Sequence, residues 1–174
     1  EIASCLVGSE MCIRDSSLTQ AELSALVNSH LTSAVYSKKR AAYSLGCSFT
    51  DKQIEHMVSI SEEYHIFKTM DGSNLQDALR SLFGCQNGFR LQVCHIRKAV
   101  VFFDELLECN LIGRNWQTVL DRCGLLVSVR SGKLIKRTSL SSSLSKARVS
   151  VAAEYQSIRK AVFEMKKEEL YESR

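Results

Sequence analysis

Apolar residues recur at intervals of three and four along most of this chain, the spacing that predicts amphipathic helices. Three segments open on a capping box, in which a Ser or Thr side chain accepts from the backbone N–H three residues on and a Glu or Gln side chain reaches back. The boxes are Thr19 with Glu22, Thr50 with Gln53 and Ser73 with Gln76. They predict a first helix over about residues 20–45, a second that runs to about Met70, and a third that ends before Gly84.

The densest apolar pattern lies between residues 89 and 112, where apolar side chains nearly encircle the predicted helix. A helix that is apolar all round is buried, so we expect this one to be the central helix of a bundle and to end at Gly113. A short helical segment with Trp116 follows, and its indole is expected to close one end of the core.

The pattern changes after Gly124. Residues 125–129 and 134–137 flank a two-residue turn at 131–132, which predicts a small β-hairpin. A serine-rich joint over residues 139–145 then leads into a last helix. The apolar residues of that helix form a narrow seam typical of packing against one or two other helices, namely Val151, Tyr155, Ile158, Val162 and Met165. The chain is therefore predicted to be mainly α, a helical bundle of about five helices with a small β-hairpin and a long basic C-terminal helix.

The start of the chain has a different character. Residues 6–16, LVGSEMCIRDS, resemble one reading frame of the transposon mosaic-end adapter used in preparing sequencing libraries. The resemblance implies that residues 1–16 are adapter-derived, and we exclude them from the fold prediction. The alternative is a natural N-terminal segment that has this sequence by chance. The expected organisation is then a helical bundle over residues 17–124 and a basic β-hairpin plus C-terminal helix over residues 125–174.

The composition is that of an ordinary globular protein, with 174 residues, 45% of them hydrophobic and 24% charged. The net charge of +4 becomes +6 without residues 1–16, and the distribution is uneven. Residues 17–129 hold 11 basic and 11 acidic side chains, whereas residues 130–174 hold 11 basic and 5 acidic ones. Clustered cations suit phosphate neutralisation, so we expect DNA contact here, with a solvated helix face as the alternative. The expected phosphate contacts are Lys133, Lys136, Arg137, Lys146 and Arg148.

Candidate catalytic chemistry is sparse. The sequence has no P-loop, no G-x-G-x-x-G and no G-x-S-x-G. Cys94 and His95 are adjacent, and on a helix they would point about 100° apart, too far to form a thiolate and base pair. His56 and His65 are nine residues apart, which is not the spacing of a helical zinc pair. We therefore expect no catalytic site, no metal and no cofactor.

The cysteines and the apolar runs bear on location. Five cysteines remain after residue 16, an odd number without a C-x-x-C pair, which favours reduced cysteines in a cytoplasmic protein. The longest unbroken apolar run, residues 99–103, is far shorter than the roughly 20 residues that cross a bilayer. No basic stretch followed by an apolar core opens the chain, so neither a membrane partner nor secretion is expected.

Several short motifs occur in a particular order. They are LTQAEL at 18–23, YSKKR at 36–40, FTDKQI at 49–54, a short helix before a glycine at 78–84, and VCHIRKA at 93–99. In this order they resemble the helical N-terminal region of phage-type and bacterial tyrosine recombinases, the site-specific integrases. Residues 132–140, with Lys146 and Arg148 beyond them, are similar to the basic hairpin-then-helix arm of many integrases, although here the arm follows the helical region instead of preceding it.

The resemblance implies a fragment that helps to position DNA. The catalytic pattern of the family, an arginine, an H-x-x-R and a nucleophilic tyrosine, is not found, because His95 and Arg97 have the wrong spacing. This chain alone is therefore expected not to cut DNA. The competing prediction, from a different class, is a helical protein-interaction module that self-associates or pairs with a partner through the seam of the last helix.

Overall fold

The computed structural model describes residues 43–172, with side-chain burial through residue 167. Within these residues six helices and three short strands follow one another: α1 (Asp51–Glu63), β1 (Phe67–Lys68), α2 (Leu75–Phe83), β2 (Leu91–Val93), α3 (Ile96–Glu108), α4 (Trp116–Cys123), β3 (Leu126–Ser128), α5 (Arg137–Arg148) and α6 (Ala153–Glu172). The prediction of a mainly α chain is confirmed. The adapter-like segment and most of the first predicted helix lie outside the described residues, and residues 43–45 are not helical.

The N-termini of α1 and α2 show how local sequence starts a helix. Thr50 accepts from the backbone N–H of Gln53 at 3.3 Å, and the Gln53 side chain accepts from the Thr50 N–H at 2.8 Å, which confirms that capping box. At α2 the cap is Asn74 instead of Ser73, and its side chain accepts from the Gln76 N–H at 2.9 Å. Asparagine caps as well as serine does, so the third predicted helix starts one residue later than its box implied.

Two helices end earlier than predicted. The predicted ends were Met70 for α1 and Gly113 for α3, whereas the helices stop at Glu63 and Glu108. Just beyond these ends His65 and Asn110 take left-handed backbone angles, with φ of 50° and 57°. The N–H of the following residue then bonds back into the last turn, as Ile66 does to Ser61 at 2.9 Å. Glycine is the commonest residue at such a position but not the only one, so helix ends predicted from the positions of glycines were too late.

The predicted single helix over residues 89–112 is a strand, a turn and a helix. β2 pairs antiparallel with β1, with Phe67 opposite Val93, and parallel with β3, with Leu91 opposite Leu126. Leu91 and Val93 are buried on either side of half-buried Gln92, an alternation too short to stand out from the apolar residues around it. α3 begins only at Ile96 and is the central helix, as predicted, with α5 and α6 packed against it.

Aromatic rings fill the space around α3. Phe103 stacks on Trp116 with ring centroids 5.3 Å apart and planes inclined by 21°. Phe102 and Phe103 also contact Phe67 of β1. Trp116 is buried, so the predicted contribution of its indole to the core is observed.

The segment after Gly124 differs from its prediction in extent. The hairpin is reduced to one antiparallel bridge between Val127 and Leu134, and the other edge of β3 pairs with β2. The predicted serine-rich joint is part of α5, whose buried residues are Leu140, Leu144 and Ala147. These residues recur at helical spacing, and the serines between them face outward.

The apolar seam of the last helix packs against other helices of the same chain. Ile158, Val162 and Met165 of α6 are buried, and the helix packs against α3 and α1. Val151 precedes α6 and is 94% exposed, so it is not part of the seam. The seam proposed for self-association is therefore covered by the rest of the same chain. No helix among residues 43–172 is long and apolar enough to cross a membrane.

Candidate nucleic-acid interface

The chain between Asp121 and Glu154 contains seven Lys and Arg residues and no acidic residue. The structure folds this stretch into β3, the turn after it and α5. Its positive charges have no neighbours of opposite sign along the chain, so they are balanced by acids on other elements or by a ligand. The contacts of each cation separate these two cases.

Arg148 belongs to the first case. Its Nη2 donates to Oδ1 of Asp104 at 2.6 Å and its Nε donates to Oδ2 at 3.2 Å. Asp104 lies on α3 and is only 5% exposed. Hydrogen bonding to this carboxylate, followed by its charge, raises the pKa of Arg148 above its usual value. The guanidinium therefore neutralises a buried acid of the core, and this predicted phosphate contact is already engaged within the fold.

The other four predicted contacts are exposed. Nζ of Lys136 lies 3.6 Å from Oδ1 of Asp121, a loose ion pair at the surface. The side chains of Lys133, Arg137 and Lys146 have no ion-pair partner in the described part of the chain. Arg130, which the site prediction omitted, is exposed and equally unpaired among these residues.

The cations of α6 are engaged by contacts within the fold. Nε of Arg159 is 4.0 Å from Oε2 of Glu105, and Nζ of Lys166 donates to the carbonyl of Cys109 at 2.6 Å. Burial raises the pKa of Glu105, and the charge of Arg159 opposes that shift. Lys160 pairs with Glu164 at 3.7 Å, and Lys167 lies over the Phe163 ring. Within residues 125–167 the positive charge without an ion pair therefore lies on the turn after β3 and on α5.

The start of α5 concentrates this charge further. Lys136 is the N-cap and Arg137 the first helical residue, no side chain caps the helix, and its first turn has no acid. The backbone N–H groups there already give the helix end a partial positive charge, which cations beside it make less favourable. An anion bound at this point would relieve the repulsion and accept hydrogen bonds from the first N–H groups of the helix.

The cysteines and histidines offer no comparable site. Cys94 and His95 lie in the turn between β2 and α3, so the prediction that they are neighbours on a helix was wrong. All five cysteines after residue 42 are free thiols, and burial raises the pKa of Cys47 to about 11. Within residues 43–172 no three His, Cys, Asp or Glu side chains are grouped as metal ligands would be.

The comparisons with known proteins assign no function to these contacts. The chain matches no protein-family model and shows no significant similarity to a curated protein or to a solved structure.

Proposed function

We propose that this chain is a non-catalytic, DNA-associated part of a site-specific tyrosine recombinase. It contacts DNA phosphates through the turn after β3 and the exposed face of α5. One observation carries the DNA contact: Lys133, Arg137 and Lys146 have no ion-pair partner in the described residues, whereas each described cation of α6 has a contact within the fold. Unpaired cations gathered on one element are the electrostatic footprint of phosphate binding.

The geometry of α5 suits a phosphate backbone. Arg137 and Lys146 stand near its two ends, about 14 Å apart along the axis at about 1.5 Å per residue. At about 100° per residue the two side chains also project from opposite sides of the helix, so Arg137 contacts DNA from the N-terminal end of α5 and Lys146 from its exposed face. Ser142 and Ser139 are exposed one and two turns before Lys146. The Ser142 hydroxyl donates to the Ser139 carbonyl at 3.2 Å, so the Ser139 hydroxyl is the better placed of the two to donate to a phosphate oxygen.

The same side chains predict how the binding depends on salt and sequence. α5 has no Asn or Gln, the residues that read adenine, so most of the affinity is expected to be independent of sequence. Three or four phosphate contacts predict that log Kobs falls against log salt with a slope of about −3.

Fluorescence anisotropy of a labelled duplex, titrated with the full chain at about 50 and 200 mM salt, tests the proposal. The interface variant combines Lys133→Gln, Arg137→Gln and Lys146→Gln. The matched control combines Lys68→Gln, Arg90→Gln and Arg114→Gln, which removes the same charge from exposed side chains outside the interface. We expect the interface variant to lose most of the affinity and of the salt slope, and the control to lose little. Equal losses in both variants, or binding indifferent to salt, would overturn the proposal.

The recombinase part of the proposal rests on the sequence motifs alone and is tested separately. The reading frame in the source genome is expected to contain an H-x-x-R and a downstream tyrosine beyond the present sequence. A frame that ends without them would remove the recombinase assignment and leave DNA contact to be judged by the titration.

A further inference from the structure

A second basic surface lies at the carboxyl ends of the parallel strands β2 and β3. An open groove of about 620 Å³ is formed there by the turn after β2, the first turn of α3, the end of β3, one residue of α5 and the start of α6. The crevice outside the carboxyl ends of parallel strands is a common position for ligands, because the strand-to-helix turns converge there.

The first turn of α3 supplies backbone donors to this groove. Ile96, Arg97 and Lys98 open the 13-residue helix, and all three line the groove. The side chain of the N-cap, His95, makes no capping hydrogen bond, and the first turn has no acidic residue. The N–H groups of these three residues have no acceptor among the described residues, and the helix end attracts negative charge.

Ser128 is an independent sign that the groove receives a ligand. It is the last residue of β3, is only 9% exposed and lines the groove. Its backbone N–H donates to the carbonyl of Lys133, but its hydroxyl has no hydrogen-bond partner within residues 43–172. No buried side-chain oxygen or nitrogen of the described residues lacks a hydrogen-bond partner, so the unpartnered Ser128 hydroxyl reaches solvent in the groove, where it can donate to a ligand.

The side-chain charges of the groove are positive in sum. Arg97 and Arg130 line it, are exposed and have no ion-pair partner in the part of the chain described. Glu154 is the acid that lines the groove, and Nζ of Lys98 lies 3.2 Å from its Oε2, which neutralises it. Two guanidinium groups are therefore left without a counter-charge.

We propose that this groove binds the phosphate of a phosphomonoester. The phosphate oxygens accept from the backbone N–H groups of the first turn of α3, from the guanidinium groups of Arg97 and Arg130, and from the Ser128 hydroxyl. A dianionic phosphate matches two unpaired guanidinium groups and several further donors better than a monoanion does. The residues that donate to the phosphate are not on α5, so the site does not depend on DNA contact by that helix. A mononucleotide, inorganic phosphate and the 5′-phosphate of a DNA strand all present the same phosphate group to it.

The test is a titration of the full chain with inorganic phosphate and with a mononucleotide, at ionic strength held constant with chloride. Backbone amide shifts report the position, and we expect those of Ile96, Arg97 and Lys98 to move most. Arg97→Gln and Arg130→Gln should each weaken binding about tenfold or more, since each removes a charged donor. Ser128→Ala should weaken it several-fold, and the control Arg114→Gln, also exposed but outside the groove, should leave the affinity nearly unchanged.

Amide shifts spread evenly over the basic residues, or a loss with Arg114→Gln equal to that with Arg97→Gln, would overturn the proposal. A duplex with a 5′-phosphate that binds more tightly than its 5′-hydroxyl form, with the difference lost in Arg97→Gln, would identify a strand end as the source. Equal binding of the two duplexes beside retained mononucleotide binding would identify a small phosphate ester. The variant of Lys133, Arg137 and Lys146 should keep phosphate binding, so failure of the DNA interface and failure of this site are distinguishable.

Discussion

Replacement of Arg148 by methionine separates a structural cation from a ligand-binding one. The change keeps most of the apolar stem and removes the guanidinium, which leaves the carboxylate of Asp104 buried without its partner. Breaking a buried ion pair commonly costs about 3–5 kcal/mol. The side chain of Arg148 is itself 54% exposed, so solvent weakens the pair and we expect a loss of about 2–3 kcal/mol in the free energy of unfolding.

Urea unfolding measured by circular dichroism is the assay, and Lys146→Met is the matched control. Lys146 lies two residues earlier on α5, is exposed and has no ion pair in the described chain, so its change should alter stability by less than about 0.5 kcal/mol. The two variants are expected to have the opposite order of effects on DNA affinity. Lys146→Met should weaken DNA binding, and Arg148→Met, measured under conditions in which it is folded, should not. A double-mutant cycle with Asp104→Asn should give a coupling energy above about 1 kcal/mol. A loss for Arg148→Met no larger than that for Lys146→Met, or the absence of coupling, would refute the structural role.

Three further changes test other parts of the fold. Leu144→Ala should lower the unfolding free energy by about 2–4 kcal/mol in the same urea assay, because the side chain is buried; a loss near zero would mean that the serine-rich segment is not a packed helix. His65→Gly should increase the free energy of unfolding by about 0.5–1 kcal/mol and so raise the thermal midpoint, because glycine adopts the left-handed angle without strain. An unchanged or lower midpoint contradicts this. The raised pKa of Cys47, about 11 against 9.0, predicts that stability falls as pH rises from 9 towards 11, since the unfolded chain ionises first. Urea midpoints across that range should fall less in Cys47→Ala, and an identical fall in both proteins would exclude this thiol as a cause.

Local interactions were predictable from sequence where the interacting groups are close along the chain. The capping box of Thr50 and Gln53 is an example, since both partners lie within one helical turn. β2 was not predictable in the same way. It has three residues, and its partners, at Phe67 and Leu126, are more than twenty residues away on either side. So short a strand is defined by its pairing, which a periodicity within one segment does not contain.

The candidate interface was predictable only as a charge, not as a set of contacts. Lys146 and Arg148 have the same sign and almost the same position, and sequence offers no reason to treat them differently. The difference is Asp104, which lies 44 residues before Arg148 and reaches it only because α5 packs against α3. The groove has the same origin, because Arg97 and Ser128 meet through the parallel pairing of β2 with β3.

The positive excess of the C-terminal segment therefore has two separate causes. Acids on α3 that are shielded by the packing of α5 and α6 require cations from those helices, and Arg148 and Arg159 meet that requirement for Asp104 and Glu105. Such cations add to the number of positive residues in the segment but not to the field outside the molecule, since a carboxylate cancels each one. The unpaired cations of this segment are different because no buried acid explains them; among the described residues they are Arg130, Lys133, Arg137 and Lys146. All four precede α6, so DNA selected by charge should bind on the turn and α5. Replacement of Arg159, the α6 cation paired with Glu105, should destabilise the fold before it weakens DNA binding.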